Sequence, residues 1–193
     1  MKIYDLSKPV DASSPCYPGD TPFSSRWISE GEVFTSEVTF TPHVGTHVDA
    51  PLHFARSRKG IGEAPLEIFV GPCRVIRVNR KSRTVEEADV PPMKGEERVL
   101  FSLDEPDQGL SPELCRRLVS EGVKLVGTSS ASVDPEPTES YPAHEELLQA
   151  GVYLLENLSL EGVPEGRYEL HAAPLRWSET EASPVRAYLI ERL

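Results

Sequence analysis

Long hydrophobic runs are missing from this sequence. No stretch of its 193 residues approaches the roughly 18 consecutive apolar side chains that a membrane-crossing helix requires. The opening residues, MKIYDLSKPVD, lack a basic segment followed by an apolar one, so no secretory signal is expected. Basic charge is also scarce. Lys and Arg total 20 against 31 Asp and Glu, a formal charge of −11, which disfavours nucleic acid and anionic membrane surfaces as partners. Cysteine is sparse too: Cys16, Cys73 and Cys115 form an odd, widely spaced set with no CxxC pair. They read as free thiols in a reducing, cytoplasmic compartment, where the Asn157-Leu158-Ser159 sequon carries no glycan. There is no GxSxG elbow and no cysteine adjoining a histidine, so a serine or cysteine nucleophile has no local support.

Proline and glycine are abundant instead. The 18 prolines and 13 glycines point to irregular connections rather than a helical bundle. The length suits one domain spanning 1–193 with a substantial core. Its organising stretch is Thr41 to Phe54, TPHVGTHVDAPLHF, which holds His43, His47, Asp49 and His53 within eleven residues. Neutral imidazoles and an anionic carboxylate are the usual protein ligands for zinc and similar divalent ions. An extended segment from His47 puts His47 and Asp49 on one face. Gly45 lets the backbone bend so that His43 folds back toward His47, and Pro51 ends the strand-like piece. His53 then sits just past a rigid turn, near an ion without having to bind it, which suits a proton-transfer residue.

Along the chain, strands are expected at Lys2 to Leu6, Ser25 to Ser29 and Val33 to Phe40, the last two joined through Glu30-Gly31-Glu32. Tyr17 stands on a stiff loop between Pro15 and Pro22, either as surface packing or as an aromatic wall for a flat substrate. Further strands are expected at Val70 to Val78, Arg98 to Leu103, Lys124 to Gly127, Val152 to Leu155, Arg167 to Trp177 and Val185 to Ile190. Ser111-Pro112-Glu113 opens a helix with an apolar stripe of Leu114, Cys115, Leu118 and Val119, closed by Gly122. A second helix runs from Pro142 to Gln149. Strand–helix–strand order of this kind argues for an α/β domain. His144 and Glu156 would individually be a packing residue and a surface acid; beside a His/Asp cluster they become candidate ligands. His171, between Leu170 and Ala172, reads as structural. The basic loop 55–60 reads as solvated.

The string from His43 to His53 matches HxGxHxDxPxH, and on it the chain resembles the metal-dependent cyclase superfamily, which contains bacterial kynurenine formamidases and isatin hydrolases. The likeness extends through Tyr4-Asp5-Leu6-Ser7, Pro18-Gly19-Asp20-Thr21-Pro22, Ser132-Val133-Asp134-Pro135, Pro142-Ala143-His144 and Leu155-Glu156-Asn157-Leu158. It implies a compact α/β fold of the swivelling β/β/α kind, with a mixed β-sheet core flanked by short helices, usually as a homodimer or larger. It also implies two divalent ions, zinc or else manganese. His43, His47 and Asp49 would hold the first, Asp49 would bridge to the second, His144 would ligate the second, and Glu156 would touch both. His53 would be the catalytic acid and base. The implied reaction is hydrolysis of N-formyl-L-kynurenine to L-kynurenine and formate by a metal-activated water. A cyclic amide such as isatin, or a non-catalytic metal-binding module, stays open as an alternative. Two departures bear on the substrate: the formamidases carry tryptophan where this chain has Tyr17, and the segment from Ser102 to Leu110 is short.

Overall fold

The computed structural model describes residues 1–28 and 31–191. Its elements in chain order are β1 (Lys2–Asp5), β2 (Ser24–Trp27), β3 (Ser36–Thr39), β4 (His47–Asp49), β5 (Val70–Val78), β6 (Thr84–Val85), β7 (Arg98–Leu103), β8 (Gly109–Leu110), α1 (Pro112–Ser120), β9 (Leu125–Thr128), α2 (Pro142–Gln149), β10 (Tyr153–Glu156), β11 (Gly166–His171), β12 (Ala182–Pro184) and β13 (Tyr188–Glu191). Nine strands form one sheet in the order β1-β13-β11-β5-β7-β9-β10-β4-β12. The inner four, β5, β7, β9 and β10, run parallel, and the flanking pairs are antiparallel. This is the mixed α/β sheet with short helices that the sequence led us to expect.

The parallel strands are covered on both faces, so their sequences are near-continuous apolar runs. Along them, side chains alternate between two cores. Val75, Leu100, Leu125 and Leu155 enter one, with Leu6, Phe69, Leu170 and Leu189. Ile76, Val99, Phe101, Val126 and Leu154 enter the other, against Leu114, Cys115 and Leu118 of α1 and Leu147 and Leu148 of α2. Helix α1 starts where expected: the Ser111 hydroxyl accepts from the Leu114 amide at 3.2 Å and Pro112 occupies the first turn.

The sheet is rolled rather than flat. Strands β12 and β13 stand seven places apart in the strand order, about 34 Å across a flat sheet at ~4.8 Å per neighbour. Four Cα steps of ~3.8 Å join Pro184 to Tyr188, which reach at most about 15 Å. The two ends of the sheet therefore approach each other. The Leu6 and Ser159 backbones confirm the closure, with the Ser159 amide donating to the Leu6 carbonyl at 2.8 Å.

Some boundaries differ from expectation. The strand expected over Val185 to Ile190 begins only at Tyr188, as β13; residues 185–187 instead carry the chain across between the sheet's ends from β12, a strand the sequence reading did not expect. The strand expected to reach Trp177 stops at His171, shortly before Pro174. The expected Val33 to Phe40 strand is reduced to β3, which pairs with β2 in a hairpin exposed on both faces. Of that hairpin, Ser29 and Glu30 lie outside the described residues.

Candidate active site

Strand β4 is the site's floor. It lies between β10 and β12, so His47, Val48 and Asp49 are all buried. The period of two sends Val48 into the apolar core and puts His47 and Asp49 together on the opposite face. His47 is in register with Glu156 at the end of β10, so the two side chains meet. His47 Nε2 lies 3.5 Å from Glu156 Oε2 and 3.4 Å from Asp49 Oδ1. Gly45 takes φ +62°, a left-handed turn that a side chain would strain and where a Cβ would press on Val10. The turn brings His43 back over the strand, with its Nδ1 2.9 Å from Asp49 Oδ1. After Ala50, Pro51–His53 form a single 3-10 turn that holds His53 beside His43, their ring centroids 4.4 Å apart.

His144 comes from elsewhere in the chain. Tyr141, at the N-cap of α2, offers no side-chain cap. Buried Asp134 takes over that role: its carboxylate accepts from the Ala143 amide at 2.7 Å, the His144 amide at 3.2 Å and His144 Nδ1 at 2.7 Å. The ring is thereby turned so that Nε2 faces Glu156 Oε1 at 3.4 Å and Asp49 Oδ2 at 3.7 Å. His47 is oriented in the same manner, its Nδ1 donating to the Gly45 carbonyl at 2.9 Å. An occupied Nδ1 with an inward Nε2 is the arrangement of a metal-binding histidine.

The residues fit a metal. His47 Nε2 and both Asp49 oxygens are buried and make no hydrogen bond of good geometry among the described residues, the 2.9 Å approach of His43 Nδ1 to Asp49 Oδ1 being an ion-pair contact only. Orphaned polar atoms of this kind are costly unless an ion satisfies them. Ligand atoms converge in two groups, His43/Asp49/His53 and His47/Asp49/Glu156, which share Asp49. His53 thus offers a nitrogen to the first group as well as facing the cavity.

Electrostatics support the same reading. Burial opposes a charged His47, but Asp49 and Glu156 outweigh it and raise its pKa well above the ordinary value. The same competition raises His144 to about 10, with Glu156 and Asp134 prevailing over burial. Burial also works against an anionic Asp49, yet the surrounding histidines hold its pKa well below the carboxylate range. His53 differs: crowding by protein atoms lowers its pKa despite its exposed edge, so it is neutral near pH 7.

These groups line a cavity of about 760 Å³, within the usual range for small-molecule sites. Tyr17 lines it, and its hydroxyl is hydrogen-bonded to that of Tyr141, whose ring packs edge-on against Phe54 and His144. The basic loop residues 56–59 and the segment 102–110 contribute nothing to the lining among the described residues. His171 stacks on Tyr188, outside the cavity lining. Two participants went unassigned in the sequence. Asp134 was visible only as part of a family-like string, and Glu181, whose Oε1 lies 3.2 Å from His43 Nε2, left no local signal.

A profile of the family described as "Putative cyclase" matches residues 4–135. The chain belongs to the cyclase family. It is a homologue of bacterial kynurenine formamidases: that of Paracidovorax citrulli is 41% identical over 97% of this chain and 95% of its own. That of Delftia acidovorans is 39% identical, with 97% of each chain covered. A solved structure titled "The Structure Of Potential Metal-Dependent Hydrolase With Cyclase Activity" superposes with a TM-score of 0.84 at 30% identity, covering 99% of both chains. The cyclase fold is shared more distantly by isatin hydrolase A of Labrenzia aggregata, at 24% identity over 97% of this chain and 93% of that one, TM-score 0.81.

Proposed function

We propose that this chain is a metal-dependent amide hydrolase that converts N-formyl-L-kynurenine to L-kynurenine and formate. The observation that carries the reading is the Asp49 carboxylate, fully buried, without a hydrogen bond of good geometry at either oxygen and common to two convergent ligand groups at the floor of the cavity. Two divalent ions, zinc by preference and manganese as the competitor, would be held by His43, His47, Asp49, His144 and Glu156. Bound there, such an ion lowers the pKa of a coordinated water toward about 7 and polarises a carbonyl.

The chain's own residues do the rest. Tyr17 presents a flat ring against which the aryl group packs. Hydrolysis breaks the bond between formyl carbon and aryl nitrogen, the water oxygen ends in formate, and the nitrogen must gain a proton to leave. His53, whose edge is open to the cavity, carries that proton. Asp134 and the Gly45 carbonyl keep His144 and His47 oriented throughout.

Residues 1–193 act as one catalytic domain in this proposal, working as a cytoplasmic homodimer. Free Cys16, Cys73 and Cys115 suit a reducing compartment, and among the described residues no helix is long and apolar enough to cross a membrane. The exposed Trp27, Val33, Phe34 and Val38 of the β2–β3 arm offer a surface for a second copy. The test is turnover of N-formyl-L-kynurenine by zinc- or manganese-loaded protein, with isatin in parallel. Chelator-sensitive release of kynurenine is expected; hydrolysis of isatin alone would overturn the assigned substrate.

A further inference from the structure

The cavity is lined by five acids, Asp20, Asp49, Glu136, Glu156 and Glu181, and among the described residues by one Lys or Arg side chain, Lys8. No carboxylate among the described residues lies within ion-pairing distance of Lys8, so its charge is free to meet an anion that enters the cavity. Its Nζ instead donates to the neutral Asn157 Oδ1 at 3.4 Å. The segment is held from both sides. The Lys8 amide donates to Thr46 Oγ1 at 3.0 Å, and Thr46 Oγ1 donates in turn to the Asn157 carbonyl at 2.8 Å. Asn157 follows Glu156 directly and adopts φ 59°, an unusual conformation for a residue with a side chain. Partial removal of the Lys8 ammonium from water lowers its pKa, so an anion beside it would be favourable.

We propose that Lys8 is a specificity-determining residue that anchors a carboxylate of the substrate while the amide lies over the ligand cluster. The inference rests on the hydrolase reading above and deepens it, by assigning the substrate to carboxylate-bearing arylformamides. The five acids do not defeat the anchor, because two divalent ions would offset most of their charge and leave the Lys8 charge effective. A neutral arylformamide, or isatin, has nothing to place against Lys8. The geometry therefore favours N-formyl-L-kynurenine over both.

The experiment compares metal-loaded wild type, Lys8→Met and Lys8→Arg on N-formyl-L-kynurenine and on formanilide, which lacks a carboxylate. Removing this charge partner is expected to lower the ratio of kcat/KM, anionic over neutral substrate, by about tenfold through KM, with arginine restoring most of it. Calorimetric titration with L-kynurenine should show the same loss of affinity in Lys8→Met without any turnover. An unchanged ratio in Lys8→Met overturns the anchor while leaving the hydrolase reading intact. If wild type cleaves neither formamide, the assigned activity falls, and the kynurenine titration alone decides Lys8: equal affinity in wild type and Lys8→Met overturns it.

Discussion

Replacing Asp134 by asparagine isolates the link between the helix cap and the metal site. The substitution preserves volume and one acceptor oxygen, which can still serve the Ala143 amide. It puts an amide NH2 in place of the Oδ2 that accepts from both the His144 amide and His144 Nδ1. Two hydrogen bonds to a charged acceptor are lost, and donors then face donors. At about 1.5 kcal/mol for each such bond, the expected destabilisation is about 3 kcal/mol. For a chain of this length that corresponds to a fall in Tm of about 6–12 °C. The metal site should suffer separately, because His144 loses the partner that aims Nε2 at Asp49 and Glu156. Removal of such an orienting group typically costs about 10- to 100-fold in metal affinity. Thermal melts of metal-free protein and competition with a chromogenic chelator measure the two effects independently. A lowered Tm with unchanged metal affinity would refute the orienting role and leave Asp134 as a helix cap only.

Two further outcomes are expected. His53→Ala should retain its zinc or manganese by elemental analysis yet lose roughly 10²–10⁴-fold in kcat, the usual contribution of a positioned acid or base; loss of metal instead would make His53 a ligand of the His43/Asp49 group. Metal-free protein should lose stability as pH rises from about 6.5 toward 10, because the folded pKa of His144 stands above its unfolded value of 6.5, so its stabilising charge is complete below 6.5 and gone above about 10. Metal affinity should rise over the same window as protons cease to compete, with proton release measurable in weakly buffered calorimetry; stability of the metal-free form that is flat across this range would contradict the assignment.

Much of the site was legible because it is local. Glycine at 45, the alternation of His47 and Asp49 about Val48, and Pro51 are short-range devices whose consequences depend on backbone stereochemistry and little else. The capping serine and the apolar stripe of α1 were readable for the same reason. The roles of residues supplied from a distance were not readable from local pattern: those of His144 and Glu156 came only from the family resemblance, and Glu181 was missed. Glu156 meets His47 only because β10 pairs with β4 in a particular register, and that register follows from the order of the whole sheet. Nothing around residue 182 signals a separate strand there, or that residues 185–187 must leave the sheet, since both follow from carrying the chain between the two ends of a rolled sheet.

The amino-acid sequence alone thus determined the class of fold, the ligand chemistry of residues 43–53 and the presence of helices that could bring in His144. Tertiary structure decided which acids complete the cluster, Glu156 by strand register, Asp134 by capping a helix eight residues downstream, and Glu181 by entering beside β12. It also decided that Lys8, unremarkable in its local sequence, faces the cavity. The physical reason is the same throughout. Local conformation is set by neighbouring residues, whereas convergence of side chains at one point is set by long-range pairing that leaves no periodic trace in the sequence.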